Sequence, residues 1–259
     1  MKNLAYSFSL LLVLIGLSGC ATGVASTSGV SLDEEWQLGQ QMAASVQQQV
    51  RLVQDPVALR YVRMVGERIH AQTPLANRPF DFEIVDDPDV NAFSIPGGHV
   101  YVNRGLINQA DKADMLAGVM AHEISHVVAR HVIQQMVQQQ QINVIGSILL
   151  GQNPGALQTL LANVLAGGVL ARFSRADEKE ADDLGLRFMT AAGYNGQGMV
   201  DMFQKLLSLE KGQPGAVEKF FLDHPLTEDR IKDIQSRVRA LPPGGITDDP
   251  AYQDVRSRM

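Results

Sequence analysis

The sequence contains one cysteine and no cluster of lysine and arginine residues. A single thiol cannot form an intramolecular disulfide, so cysteine pairing gives no indication of the cellular compartment. The 22 basic residues are outnumbered by 28 acidic residues, and without a basic patch to neutralise phosphates, nucleic acid is not an expected partner. The 45% hydrophobic and 19% charged residues exclude a disordered or coiled-coil chain and predict a globular protein with a packed core.

Near the N-terminus, a lysine precedes an apolar run over residues 8–17 that is too short to span a bilayer. The sequence Leu17-Ser18-Gly19-Cys20 follows, and it resembles the lipobox of bacterial lipoproteins. The resemblance implies that residues 1–19 are a signal peptide and that Cys20 is the lipidation site that attaches the protein to a membrane. Ala21 after this cysteine implies sorting to the outer membrane, facing the periplasm. The alternative is an ordinary cleaved signal peptide with an incidental thiol.

Domain boundaries follow from composition. Residues 20–31 are small or apolar and carry no charge, which predicts a flexible tether between the lipid and the domain. The folded domain is expected over residues 32–240, and residues 241–259 are expected to form a C-terminal tail.

The pattern of apolar residues predicts the fold class. Two helices are expected between Leu32 and His70, with a break at Asp55-Pro56. The only convincing strand region consists of Phe80 to Ile84, Asn91 to Ile95, and Val100 with Val102 after a turn. From Asp111 onward the chain is mostly helical. The sequence therefore predicts an α+β fold that is mostly helical and has one small β-sheet.

The residues His122-Glu123-Ile124-Ser125-His126 lie in a helix predicted to run from Lys112 to about Gln140. Positions four apart on a helix differ by about 40°, so both imidazoles project from one face and can reach one ion. Zinc prefers neutral imidazole nitrogens, and Glu123 beside them is placed to take a proton from the attacking water. The alternative is a pair of structural histidines that match the pattern by chance.

A third ligand decides the class of metal site. The metzincin pattern needs glycine at 129 and histidine at 132, and this chain has Ala129 and Val132. On a continuous helix His131 would face away from His122, so we expect His131 to pack or face solvent. Glu178 and Asp182 share one helical face, so one carboxylate can bind zinc while the other accepts the free N–H of a zinc-bound histidine. A solvated charged helix face is the alternative.

Several separated motifs resemble the HtpX / CAAX-prenyl-protease family of zinc metallopeptidases over residues 33–240. They are Asn91 to Gly98, Gly105-Leu106, His122 to His126, Ser174-Arg175, Glu178 to Asp182, and His224-Pro225 with Arg230. The resemblance implies a zincin-type domain of the gluzincin class with one zinc ion (Zn²⁺) per chain. The implied metal ligands are His122, His126 and Glu178, and the implied catalytic residues are Glu123, Asp182, His224 and Arg230.

The resemblance assigns roles to two further segments. His99, Val100, Tyr101 and Val102 resemble the family's edge strand beside the active-site helix, which pairs with an extended peptide substrate; an ordinary strand is the alternative. In the family's manner, His224 either donates to the oxyanion of the transition state or closes the site as a fourth zinc ligand. The alternative is a loop histidine with a structural arginine.

The apolar segment Ile142 to Ala171 is broken at Gln152-Asn153-Pro154-Gly155. It fits either a buried helical hairpin or a mobile, membrane-facing flap.

Within the family, the chain is most similar to short bacterial lipoproteins related to BepA. The resemblance implies a lipid-anchored periplasmic endopeptidase that acts in quality control of outer-membrane proteins. Unfolded or misassembled proteins are the expected substrates, and the outer-membrane assembly machinery is an expected partner. The competing hypothesis is a chaperone-like assembly factor with a structural or latent zinc site. Glu123 favours the enzyme, because a purely structural site has no use for a base beside the metal.

Overall fold

A computed structural model describes residues 29–165 and 172–259. The predicted signal peptide, Cys20 and most of the predicted tether lie outside the described residues. Within them the chain is mostly helical with one small sheet, which confirms the predicted α+β class. The strands are β1 (Asp81–Val85), β2 (Ala92–Ile95) and β3 (His99–Asn103). The helices are α1 (Leu32–Gln49), α2 (Pro56–His70), α3 (Arg104–Gln109), α4 (Ala113–Val128), α5 (His131–Gln138), α6 (Ile142–Leu149), α7 (Pro154–Leu165), α8 (Arg175–Ala191), α9 (Gln197–Gly212), α10 (Glu218–Asp223), α11 (Glu228–Ala240) and α12 (Pro250–Arg258).

Local sequence sets where several helices begin. Ser31 and Glu34 form a reciprocal capping box at the start of α1. Asp55 accepts hydrogen bonds from two backbone N–H groups at the start of α2, whose first residue is a proline. A second capping box joins Ser174 and Asp177 and fixes the start of α8. Each cap satisfies backbone N–H groups that the helix itself leaves unpaired.

The sheet has the strand order β1-β3-β2, with β3 parallel to β1 and antiparallel to β2. The predicted edge position of His99, Val100, Tyr101 and Val102 is therefore wrong, because β3 is paired on both sides. The turn after β2 places β2 and β3 side by side, and β1 pairs with the other side of β3. The edge strand of the described sheet that packs against α4 is β2.

Helix α4 forms the centre of the domain, and all its residues from Ala113 to Val128 are buried. It packs against α8, α9, α2 and β2. A helix buried on every side carries apolar residues all round, so its few polar side chains need partners inside the protein. The polar residues of the predicted metal motif are among these side chains.

The predicted continuous helix from Lys112 to Gln140 is wrong. Helix α4 ends at Val128, and Arg130 has left-handed backbone angles of φ 60° and ψ 33°. The guanidinium of Arg130 donates to the buried carboxylate of Glu35 at 2.6 Å and to the carbonyl of Val30 at 2.7 Å. These long-range contacts hold an arginine in a conformation that glycine or asparagine usually adopts, and α5 begins in a new direction.

The apolar segment forms a helical hairpin of α6 and α7 that packs against α1. Ile145, Ile148, Leu160 and Leu161 are buried in its contact with the rest of the domain. Residues 166–171 of the predicted segment lie outside the described residues. None of the helices that the structure describes is long and apolar enough to cross a membrane.

Residues 241–259, the predicted C-terminal tail, include α12. The side chain of Tyr252 on this helix is fully buried, and its hydroxyl donates to the carbonyls of Ile107 and Ala110 at 3.1 and 2.9 Å.

Gly39 allows α1 to approach the turn between β2 and β3. A Cβ at this position would lie 2.1 Å from the carbonyl oxygen of Pro96 and 2.8 Å from the Cα of Gly97. Alanine gains about 1 kcal/mol over glycine in a helix, whereas overpacking costs about 1–3 kcal/mol. Because the clash is with backbone atoms, we expect Gly39→Ala to lower the free energy of unfolding, measured by chemical denaturation.

The matched control is Gly146→Ala in α6, where an added Cβ meets no atom of the described residues within 4 Å. It should leave the free energy of unfolding unchanged or raise it. Equal changes in the two variants would contradict the role assigned to Gly39.

Candidate metal centre

Helix α4 places His122 and His126 on one face, one turn apart. Their Nε2 atoms lie 3.1 Å from each other, and both side chains are buried. The four-residue spacing therefore brings two imidazole nitrogens to one point, as the sequence predicts.

Helix α8 adds a carboxylate to this point. Oε2 of Glu178 lies 3.5 Å from Nε2 of His122, and Oε1 lies 3.5 Å from Nε2 of His126. The two helices pack closely at Gly185, where an added Cβ would come within 3.1 Å of the backbone nitrogen of His122. The small residue lets the backbones approach until the side chains from the two helices meet.

His224, directly after α10, completes a group of four side chains. Its Nδ1 lies 3.3 Å from Nε2 of His122 and 3.1 Å from Oε1 of Glu178. One donor atom from each of His122, His126, Glu178 and His224 lies within 4.8 Å of the others, and all four residues are buried.

The geometry of this group fits zinc. In a tetrahedral site with ligands about 2.0–2.1 Å from zinc, neighbouring ligand atoms are about 3.3–3.4 Å apart. Five of the six pairs of donor residues here have contacts of 3.1 to 3.5 Å, and all four donor atoms lie within 4.8 Å of one another. Three imidazoles and one carboxylate are donors that zinc accepts, so the residues present can hold this ion.

Asp182 and Arg230 support the group from outside. Oδ1 of Asp182 lies 3.1 Å from Nδ1 of His122, so the carboxylate can accept the Nδ1–H and leave Nε2 free for a metal. Arg230 donates to both oxygens of Asp182 at 2.8 Å and to the carbonyl of Pro225 at 2.9 Å, and it also pairs with Glu178. One guanidinium therefore links α8 to the loop that carries His224.

The expected orientation of His131 is wrong. Because the chain turns at Arg130, the His131 side chain returns toward α4, and its Nδ1 lies 2.8 Å from Nδ1 of His126. Glu180 lies outside the group of four: its side chain is 57% exposed, and its Oε2 is 3.5 Å from Nε2 of His131.

Glu123 lies beside the four donors. Its Oε1 is 3.3 Å from Nε2 of His224, and its Oε2 accepts a hydrogen bond from Oγ of Ser94 at 3.1 Å. Ser94 belongs to β2, so the edge strand contacts the predicted base directly. The motif from Asn91 to Gly98 contains this serine, but no sequence pattern indicates the contact.

Phe173 is a second residue that the sequence analysis missed. Its ring stacks on His126, with centroids 3.9 Å apart and planes at 24°. It therefore packs against a predicted metal ligand from just before α8, and nothing in the local sequence indicates this position.

The charge states of Glu178 and His126 suit a cation, whereas His122 must release a proton to bind one. Burial alone would raise the pKa of the Glu178 carboxyl, but the three histidines around it hold that pKa well below its usual range. Burial alone would lower the pKa of His122, but Asp182 and Glu178 raise it to about 9. Burial holds the pKa of His126 well below its usual value. An ionised carboxylate and a neutral imidazole are forms in which these side chains bind zinc.

Comparison with known proteins gives the family of this chain. The model of peptidase family M48 matches residues 56–238. The beta-barrel assembly-enhancing protease of Escherichia coli K12 is 32% identical over 231 residues, which cover 85% of this chain and 47% of that protein. The protein of the same name from Yersinia pestis is 30% identical over 247 residues, covering 92% of this chain and 50% of that protein. Metalloprotease LoiP of Escherichia coli is 30% identical over 179 residues, covering 68% of this chain and 67% of that protein.

The chain spans about half the length of the two beta-barrel assembly-enhancing proteases that it matches. The family match extends from α2 through most of α11, so it contains every residue of the four-donor group. The chain belongs to peptidase family M48, which confirms the metallopeptidase family predicted from its motifs.

Proposed function

We propose that this protein is a zinc-dependent endopeptidase whose site is closed in the conformation described here. The observation that supports it is the buried group of four donors with the carboxylate of Glu123 beside it. A structural zinc site has no need for this adjacent carboxylate, whereas hydrolysis needs a base at this place.

The roles follow from the contacts. His122, His126 and Glu178 would hold the ion, and Asp182 would orient His122. Zinc bound there supplies a Lewis acid that lowers the pKa of a coordinated water to about 7. Glu123 takes a proton from the water that attacks the peptide carbonyl and passes it to the departing amine.

The substrate would pair with β2. The backbone N–H of Asn103 donates to the carbonyl of Asn91, so the odd-numbered residues of this strand bond to β3. In an antiparallel pair the alternate residues turn their backbone groups the other way, so Ala92 and Ser94 present theirs to the outer edge. Ala92 is 0% exposed and Ser94 is 6% exposed, so this edge must be uncovered before an extended peptide can add to it. Such a peptide would pass next to Glu123, which Ser94 contacts.

The location and substrates belong to the same proposal. The lipobox-like sequence at Cys20 supports a lipid anchor in the outer membrane, facing the periplasm. The names of the two beta-barrel assembly-enhancing proteases support substrates among misassembled outer-membrane β-barrel proteins. A chaperone-like role with structural zinc is the second candidate, because a site with four protein ligands and no open position is typical of structural zinc.

Replacing the proposed base separates these functions. Glu123→Gln is expected to lower cleavage of an unfolded outer-membrane protein by at least about 100-fold, because an amide cannot accept the proton. Zinc content should stay at the wild-type level, since Glu123 is not one of the four donors. Both quantities are measured on purified protein, in the wild-type and His224→Ala backgrounds.

The matched control is Glu67→Gln, the same change at an exposed position on α2, which should keep the parent rate. A chelator should abolish cleavage by the parent. Undiminished cleavage by Glu123→Gln would contradict the mechanism, and zinc binding without cleavage in either background would favour the chaperone-like role.

His224→Ala tests whether this histidine closes the site. Its Nδ1 lies within 3.3 Å of His122 and Glu178, so we propose that it occupies the fourth position around the ion. The variant should therefore cleave faster than wild type at equal zinc occupancy. If His224 instead donates to the oxyanion, the rate should fall by about 100-fold; the sign of the change decides between the two roles.

A further inference from the structure

We propose that His131 is a positioning residue that fixes the orientation and tautomer of the metal ligand His126. This inference rests on the zinc site of the proposed function. His131 is the first residue of α5, is 1% exposed, and has its Nδ1 2.8 Å from Nδ1 of His126.

Each of the two histidines on α4 has one nitrogen toward the donor group and one away from it. The nitrogen of His122 that faces away lies at Asp182, and that of His126 lies at His131. A metal-binding histidine donates its other N–H to an acceptor, which holds the ring in place and raises its basicity. His131 therefore serves His126 as Asp182 serves His122.

The contacts also assign the hydrogens. Since Nε2 of His126 faces the donor group, its Nδ1 carries the hydrogen and donates to Nδ1 of His131. The hydrogen of His131 is then on Nε2, which lies 3.5 Å from a carboxylate oxygen of Glu180 and 3.9 Å from one of Asp177. A series of contacts therefore runs from the ligand His126 through His131 to the carboxylates of Asp177 and Glu180 near the start of α8.

Zinc affinity of the full chain, measured by competition with a chelator, tests this role without any activity assay. His131→Ala should weaken binding by about 10–100-fold, the usual effect of losing such a partner. His131→Asn should bind close to the wild-type affinity, because the Oδ1 of asparagine can accept the hydrogen bond where Nδ1 did.

The control is His70→Ala, which removes a buried histidine from α2 and should leave zinc affinity unchanged. The free energy of unfolding, measured for each metal-free variant, shows whether a loss of zinc affinity is caused only by misfolding. Wild-type affinity in His131→Ala, or equal weakening in His131→Ala and His131→Asn, would overturn the proposal. If the wild type itself binds no zinc, the zinc site of the proposed function is wrong.

A different observation points to a membrane-facing surface on the α6–α7 hairpin, and this second inference rests on the proposed lipid anchor. We define the hairpin surface as the exposed residues between positions 142 and 162, which are all uncharged and include Ile142 and Leu150. Leu150, at the tip, is 71% exposed, the highest value among the large apolar side chains that the structure describes. Ile142, at the base, is 39% exposed.

Charge distinguishes this surface from its surroundings. Residues 132–165 contain no Asp, Glu, Lys or Arg, although the whole chain carries a net charge of −6. Anionic lipid surfaces repel acidic protein faces. Charged groups also lose hydration when they approach any bilayer, which is costly. An uncharged hairpin with an apolar tip can approach lipid without either cost.

The chain also enters the domain at this surface. An added Cβ at Gly29, the first described residue, would lie 3.1 Å from Cδ1 of Ile142. Only residues 21–28 separate Gly29 from the proposed lipidation site at Cys20, and the nine Cα-to-Cα steps between the two span at most about 30 Å. Helix α6 itself is only about 12 Å long. The anchor therefore keeps the whole hairpin, from base to tip, within reach of the bilayer.

The single natural cysteine makes a direct test possible. When Cys20 is lipidated, Leu150→Cys carries the only free thiol and accepts an environment-sensitive dye. The control is Asp229→Cys on α11, whose side chain is 94% exposed. In vesicles of phosphatidylethanolamine and phosphatidylglycerol, nitroxide-labelled lipids should quench the dye at position 150, with a blue shift, and should not affect the dye at 229.

Labelling of the unsubstituted full chain distinguishes a failure of the proposed lipid anchor from a failure of the membrane-facing surface. If this chain takes up the dye, Cys20 is free, and the proposed anchor and the membrane-facing surface are both wrong. If it takes up none but position 150 is quenched no more than position 229, the anchor stands and the membrane-facing surface is wrong.

Discussion

The buried carboxylate of Glu178 is the interaction on which the candidate site depends. A carboxylate removed from water is very costly unless charged and hydrogen-bonding groups surround it. Here three histidines and Arg230 contact it, and these come from α4, the loop after α10, and α11. Compensating one buried charge therefore requires that all these elements meet at one place. The same contacts create a cluster of donors that a cation can occupy.

Burial places a similar requirement on the polar side chains of the central helix α4. Helix α4 is buried over its whole length, so His122, Glu123 and His126 depend on partners supplied by other elements. Asp182 supplies it for His122, His131 for His126, and Ser94 for Glu123. The partners come from α8, α5 and β2, so the site is held in place by three separate parts of the fold.

The sequence predicts the parts of this arrangement that depend on local spacing. The four-residue intervals of His122 and His126, and of Glu178 and Asp182, are enough to place each pair on one helical face. Strand order is different, because alternation identifies β3 as a strand but does not show that β1 pairs with its other side. The turn at Arg130 depends on Glu35 and Val30, about 100 residues away, and its effect on His131 could not be predicted from helical geometry. The contact of Phe173 with His126 likewise arises only in the folded chain.

The position of His224 couples closure of the site to control of the proposed base. Its Nδ1 faces the donor group, within 3.1 Å of Glu178, while its Nε2 lies 3.3 Å from Glu123. One ring therefore contacts both the donor group and the proposed base. A movement of this ring out of the group removes both contacts together. In the proposed enzyme, a movement of this ring would therefore open the coordination position and free the base together.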